Sequence, residues 1–188
     1  MRKKYEEYSD SELFGMLTKD KQTAEQAFKE IYSRHAPRVY AYCRRFMGNN
    51  EEAQDVFQET FAKFFECASD DREMTNTPGF LLRIARNLCV NLKKKERSTI
   101  SFEDYMAVNR DSGREQDELL DLIKMALELL QPEYREMFIL REYEGFSYSE
   151  ITDITNEPLS TVKIRIYRAK QKIREILQPY LAELSKHG

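Results

Sequence analysis

Residues Gly145–Leu177, GFSYSEITDITNEPLSTVKIRIYRAKQKIREIL, constrain the fold more than any other stretch. They read as helix, short turn, helix. Ser147 precedes Glu150 by three residues, a spacing at which hydroxyl and carboxylate satisfy free backbone N–H groups at a helix start. Ile151 and Ile154 give that first helix an apolar edge. Asn156-Glu157-Pro158 stops it, because proline disfavours the α conformation of the residue before it. Val162, Ile166, Ala169, Ile173 and Leu177 then recur at steps of three and four, the buried stripe of a second helix. Nearly opposite lie Thr161, Ile164, Arg165, Arg168 and Lys172. From Pro158 to Arg174 the charged residues are Lys163, Arg165, Arg168, Lys170, Lys172 and Arg174, with no acid. One apolar seam and a basic remainder suit the major groove, where phosphates flank base edges. The turn length is that of a helix-turn-helix. The same spacing also fits a plain helical hairpin with a solvated basic face, and spacing alone does not separate the two.

The whole chain bounds this reading. Its 188 residues suit one ordinary domain or two small ones. A net charge of −3 argues against a protein that coats nucleic acid through bulk charge, yet permits a local basic surface. Charged residues make up 34% and hydrophobic residues 41%, a soluble globular balance. No run reaches the roughly 18 apolar residues of a membrane span, so no membrane insertion is expected. The start, MRKKYEEYSDSEL, lacks the apolar core of a signal peptide. Cys43, Cys67 and Cys89 form no C-x-x-C pair, and Cys43 and Cys89 sit among apolar residues as reduced, buried thiols. No metal site and no cofactor are expected, and the simplest location is the cytoplasm.

Taken in order, Leu13, Phe14 and Leu17 suggest a short opening helix. Thr23 with Gln26 has capping-box spacing before Ala27, Phe28 and Ile31. His35-Ala36-Pro37 is expected to interrupt or kink the pattern, which Val39, Cys43 and Phe46 resume. After the turn Gly48-Asn49-Asn50, residues 51–67 read as a helix with Val56, Phe57, Phe61, Phe64 and Phe65 inward. Its other face carries Asp55, Gln58, Glu59, Ala62 and Glu66, either solvated or docking a basic partner. Ala68–Asn76 is a polar loop with Asp70, Asp71 and Glu73. Thr77-Pro78 starts a basic helix, with Phe80, Leu81, Ile84, Leu88 and Leu92 expected inward. Asn87 and Asn91 are its polar base-reading candidates. Ser98–Glu115 loses all periodicity and reads as a flexible linker. Leu119–Leu130 is helical again, and Pro132 opens a helix through Tyr143 that Gly145 closes. The fold class is all-α: two small helical bundles joined by a flexible linker, the C-terminal one containing the helix-turn-helix.

Three segments in this order resemble one family. DVFQETFAKFFE at Asp55–Glu66, PGFLLRIARNLCVNLKKKER at Pro78–Arg97 and the stretch Leu129–Leu177 are together similar to bacterial RNA polymerase sigma factors of the small extracytoplasmic-function (ECF) type. The resemblance covers most of Thr23 to Gln178 apart from the linker. It implies a sigma region 2 domain at 8–97, a linker at 98–116 and a sigma region 4 domain at 117–184. The first would bind core polymerase through Asp55, Gln58, Glu59 and Ala62, and would recognise and melt the −10 element. Asn87 matches the asparagine that helps to hold a base flipped from the duplex, with Phe80 at the apolar position before it. Arg83, Arg86, Lys93 and Lys94 would face backbone phosphates. The loop Ala68–Asn76 matches the family's specificity loop. The second domain would set Thr161, Lys163, Ile164, Arg165, Arg168 and Lys172 in the major groove of the −35 element.

The chain departs from the pattern at Asn91, where an aspartate is usual, and at Ser160, where a glycine is usual. Ile164 replaces a small polar residue and suits a thymine methyl. The resemblance further implies three partners: core RNA polymerase, promoter DNA, and an anti-sigma factor that is membrane-bound in many members. Two other classes stay open on the residues alone. A regulator with the same helix-turn-helix would recruit polymerase indirectly, and would not need Asp55–Glu66 or Pro78–Arg97. An interaction module would set its basic faces against acidic proteins. An enzyme is not expected, since no nucleophile–base pair, phosphate loop or metal cluster stands out.

Overall fold

The structure, a computed structural model, describes residues 4–70, 74–95 and 115–187, and of residues 69–70, 94–95, 115–121 and 181–187 the backbone only. Among the described residues every regular element is helical, as the pattern requires: α1 Asp10–Met16, α2 Lys21–Met47, α3 Asn50–Glu66, α4 Thr77–Lys95, α5 Glu115–Glu128, α6 Pro132–Phe138, α7 Tyr148–Thr155 and α8 Leu159–His187. Short 3-10 turns lie at Tyr5–Glu7 and Cys67–Asp70, and a wide π turn at Ile139–Tyr143. The chain divides into two units, Met1–Arg44 with Asn49–Cys89, and Arg45–Gly48 with Val90–Gly188. Most of the stretch read as a linker lies outside the described residues, and α5 begins at Glu115, inside its expected end.

In the first unit, Ser9 and Glu12 cap α1 reciprocally, at 3.2 and 2.7 Å, and Leu13 and Phe14 are buried. The capping box expected at Thr23 and Gln26 is not what starts α2. Asp20 does so, one turn earlier: its carboxylate accepts the Thr23 hydroxyl at 2.7 Å and the Thr23 N–H at 3.1 Å. The hydroxyl first and the amide second hold the Asp20 carboxyl below its usual range. An ionised acceptor at the positive end of a helix outcompetes a hydroxyl further in.

α2 is continuous through Pro37, so the proline does not interrupt it. A proline inside a helix costs about 3 kcal/mol or more. Ile31 before it and Val39, Tyr42 and Cys43 after it are all fully buried on one side. At about 1.5–3 kcal/mol for each large apolar side chain, that packing outweighs the proline. Arg34 adds ties to the start of the chain, donating to the Tyr8 and Glu6 carbonyls at 2.9 and 3.0 Å and to Asp10 at 3.0 Å. His35 Nε2 lies 2.7 Å from the second Asp10 oxygen.

α3 buries Ala53, Val56, Thr60, Phe61 and Phe64. Phe65, expected inward, is 45% exposed. Ala53, Val56 and Thr60 centre the buried face on the other side of Phe64, so Phe65, about 100° further round, stands at its edge. Phe65 instead meets the edge of Phe28 at 5.5 Å, and ring contacts continue from Phe28 through Tyr32, Phe61 and Phe57 to Tyr40.

Asn76 caps α4: its side chain accepts the Gly79 N–H at 2.9 Å and its carbonyl the Phe80 N–H at 3.0 Å. A Cβ on residue 79 would stand 2.7 Å from the Asn76 amide nitrogen, so glycine leaves room for this cap. The inward face of α4 is Leu81, Leu82, Ala85 and Cys89; Phe80, Ile84, Leu88 and Leu92 are half-buried flanks. Ala85 and Cys89 are small, and a helix settles with its small side chains where its neighbours come closest.

The second unit packs α5 and α8 around Ala126, Leu127, Leu130, Ala169, Ile173 and Leu177, with Tyr134 and Phe138 of α6 alongside. Buried Arg135 donates to the Glu128 and Leu130 carbonyls and so closes the end of α5. The helix expected to run from Pro132 through Tyr143 instead widens after Phe138, and the Glu144 N–H reaches back to the Ile139 carbonyl at 3.0 Å. The wider turn lets Ile139 and Leu140 both bury fully. Gly145, at φ +73°, then reverses the chain, a conformation glycine adopts without penalty.

The two phenylalanines of α3 separate core from flank. Phe61→Ala is expected to lower stability by about 3–5 kcal/mol in urea unfolding followed by far-UV circular dichroism. Phe65→Ala is expected to lose less than half of that, since its ring is already partly hydrated. Equal losses would contradict the observed rotation of α3.

Candidate nucleic-acid and polymerase interfaces

The helix-turn-helix is built as its residues require. Ser147 Oγ accepts the Glu150 N–H at 3.2 Å, and Glu150 Oε2 accepts the Ser147 N–H at 2.8 Å, fixing the start of α7. Arg141 braces the same point, donating to the Phe146 carbonyl at 2.7 Å while its guanidinium lies 4.8 Å from the Tyr148 ring centre. Ile151 and Ile154 are buried. Asn156 ends α7 in the left-handed conformation at φ 56°, which asparagine tolerates better than most residues. The Pro158 carbonyl accepts the Val162 N–H at 3.0 Å and opens α8.

All five residues of the expected α8 stripe, Val162, Ile166, Ala169, Ile173 and Leu177, are buried. The remaining surface is therefore set. Lys163, Ile164, Arg168 and Lys172 are exposed, and Thr161 and Arg165 are half-buried. Ile164 keeps 51% of its surface and Tyr167 63%, unusual exposure for large apolar side chains. The basic residues are not equivalent. Arg165 donates to Glu157 at 2.9 Å, Lys170 pairs with Glu142 at 2.8 Å, and the Lys172 ammonium lies 5.6 Å from the Tyr134 ring centre. Lys163 and Arg168 have no ion pair with any described residue.

On α4, Arg83, Asn87 and Asn91 are exposed at steps of four, one outward line along the helix. Arg86 is half-buried and donates to Asn87 Oδ1 at 3.2 Å, a bond that leaves the amide donors of the exposed Asn87 unused. Phe80 lies beside this line, its ring centre 6.2 Å from that of Phe64. Lys93 is half-buried, and the side chain of Lys94 lies outside the described residues. In the loop before α4, Ala68 and Met74 are buried; residues 71–73 and the side chain of Asp70 lie outside the described residues.

On α3, Asp55, Gln58, Glu59 and Ala62 are all exposed and share one face. Glu59 pairs with Lys63 at 3.2 Å, both about half exposed, a pair worth about 0–1 kcal/mol that yields readily to a partner. Among the described residues no group of three His, Cys, Asp or Glu side chains is placed to hold a metal ion, and Cys43, Cys67 and Cys89 are free thiols. No described helix is long and apolar enough to cross a membrane.

Sequence reasoning missed three features here. The Glu157–Arg165 pair spans eight residues from the turn into α8, and the Glu142–Lys170 pair joins two separate elements; neither lies at a one-turn spacing that periodicity reveals. The exposure of Tyr167 was readable, since it lies well away from the buried stripe.

Two helical units, the second with a helix-turn-helix whose outer face is basic, define a helix-turn-helix protein of the DNA-binding class. Comparison with known proteins narrows this. The Sigma-70 region 2 family matches residues 31–99, and the Sigma-70 region 4 family matches residues 120–173. The chain is 34% identical over 173 residues to the ECF RNA polymerase sigma factor SigE of Mycolicibacterium smegmatis, covering 88% of this chain and 67% of that protein. It is 27% identical over 169 residues to the ECF RNA polymerase sigma factor SigW of Bacillus subtilis, covering 82% and 90%. Its fold is shared with CnrH, solved in complex with the cytosolic domain of CnrY, at a TM-score of 0.68 and 20% identity over 91% of this chain and 99% of that one. It is also shared with the sigma factor RpoE of Bartonella quintana, solved with the anti-sigma factor NepR, at a TM-score of 0.62 and 24% identity over 80% and 96%. The chain belongs to the ECF sigma factors and directs promoter-specific transcription.

Ser147→Ala removes one half of the α7 capping box. It is expected to lower the stability of the second unit by about 1 kcal/mol, read as a shifted urea midpoint. An unchanged midpoint would mean that Arg141 and Tyr148 fix the helix start without the cap.

Proposed function

We propose that this sigma factor binds core RNA polymerase through α3 and reads the promoter through α4 and α8. In this reading 8–97 is the region 2 domain, 98–116 a tether and 117–184 the region 4 domain. Asp55, Gln58, Glu59 and Ala62 meet polymerase. Phe80, Arg83, Arg86, Asn87, Lys93 and Lys94 serve the −10 element, and Thr161, Lys163, Ile164, Arg165, Arg168 and Lys172 the −35 element. It acts in the cytoplasm as an initiation factor with no chemistry of its own. Its activity is held by an anti-sigma factor, by analogy with the neighbours solved in such complexes.

One observation carries this reading: the exposed acids of α3, the Arg83–Asn87–Asn91 line of α4 and the exposed bases of α8 lie on separate helices, each on the face away from its own buried stripe. An overall charge of −3 conceals that separation. For the −10 element, extruding a base costs a few kcal/mol, which contacts to its exposed edge and ring must offset. The outward Asn87 amide and the neighbouring Phe80 ring are the groups on α4 suited to each.

Adding the chain to core polymerase from its own source is expected to start transcription at a shared two-part sequence in a promoter library. Glu59→Lys is expected to weaken core binding. Arg168→Ala should leave core binding intact while weakening promoter binding and flattening its salt dependence by about one unit. Core binding lost equally in both variants would refute the division of faces. Polymerase that neither binds the chain nor starts transcription with it would leave the indirect regulator as the better reading. Ile164→Ser is expected to change the preferred base at one −35 position, and an unchanged preference would remove the thymine-methyl contact.

A further inference from the structure

Glu157 is the one acid in the turn that delivers α8 to DNA, and the following seventeen residues contain none. A carboxylate beside a phosphate-facing surface lowers affinity, so its presence there asks for a compensating role. Its geometry supplies one. Glu157 Oε1 accepts from Arg165 at 2.9 Å, and both side chains are between a quarter and a third exposed, less than those of Lys170 and Glu142. Glu157 stands just before the N-terminus of α8, where the helix dipole favours a negative charge, so the carboxylate is itself held in place. An arginine bonded through one terminal nitrogen keeps its other donors free, and the planar fork fixes where they point. A lone arginine beside a phosphate finds the phosphate; one tethered to a carboxylate is already partly neutralised and gains less from it.

Resting on the −35 reading above, we infer that Glu157 is a positioning residue that withholds Arg165 from the phosphates and aims its free donors at a base edge. Arg165 thereby sets base preference at one −35 position, while Lys163 and Arg168 supply phosphate affinity. Glu157 trades affinity for discrimination, a role that no purely structural acid has.

The test uses the complete chain bound to core polymerase, selecting from a promoter library randomised across the −35 element, at several salt concentrations. Arg165→Ala is expected to abolish a preference on the order of tenfold at one position, within what a good base contact supplies. Glu157→Ala is expected to relax the same position while mean affinity across the library stays level or rises. Its salt dependence should steepen by up to about one unit, because the freed Arg165 takes a phosphate. Glu157→Gln, which keeps an acceptor but no charge, should fall between. If Glu157→Ala keeps every base preference that Arg165→Ala loses, the proposal is overturned. It is equally overturned if Glu157→Ala weakens binding to all sequences alike. Should Arg165→Ala and Arg168→Ala both leave the −35 dependence untouched, the placement of α8 itself fails, which the other outcomes leave standing.

Discussion

A helix has one buried face, and the angle at which that face is set decides what the helix offers to anything else. In this protein the setting depends on small side chains. Ala169 in α8, and Ala85 and Cys89 in α4, are fully buried and allow close approach. In α8 this puts the whole basic and apolar outer surface opposite the core, in the register its sequence period dictates. In α4 the result differs from a simple reading of its large apolar residues. If Phe80, Ile84 and Leu88 had been the centre of the buried face, the outward line would centre on Arg86. Packing on Ala85 and Cys89 instead turns the helix by roughly one residue, about 100°. Asn87 then stands at the middle of the exposed line with Arg83 and Asn91 on either side. The candidate −10 surface thus owes its asparagine to two small core residues.

How much was readable follows from which forces are local. The α8 stripe, the Ser147–Glu150 box and the end of α7 ahead of Pro158 are set by residues within one or two turns, and all stand as the sequence implies. The start of α2 was misread because two capping spacings overlapped, and the ionised Asp20 wins over Thr23. Pro37 does not interrupt α2, because tertiary burial of Ile31 and Val39 on either side exceeds the loss of one helical hydrogen bond. Phe65 was misplaced because α3 buries Ala53, Val56 and Thr60, which centres its inner face on the far side of Phe64 and leaves Phe65 at the edge, an angle that tertiary packing sets. For the candidate interfaces, the exposed positions were legible, whereas the ion pairs that distinguish one arginine or lysine from the next were not.

Those pairs change the electrostatic reading. Six bases on α8 suggest a uniform positive face, yet Arg165 and Lys170 each have a carboxylate within 3 Å. Exposed pairs of this kind contribute little stability, on the order of 0–1 kcal/mol. Their effect is on where charge is available: Lys163, Arg168, Lys172 and Arg174 keep no carboxylate partner among the described residues.

The wide turn at Ile139–Tyr143 connects these observations. Within it two consecutive apolar side chains, Ile139 and Leu140, enter the core. The next residue, Arg141, is then turned towards Phe146 and Tyr148 and fixes where α7 begins. Glu142, one step further, reaches Lys170. A single irregularity before the helix-turn-helix thus braces its first helix and removes one cation from its second. An α-helix continued through the same residues would shift every one of these side chains by about 100°. Arg141 and Glu142 would then point elsewhere, and the helix-turn-helix would lose its brace and keep a more uniformly basic face. The π turn therefore belongs to the DNA-facing design as much as the residues that are expected to touch DNA.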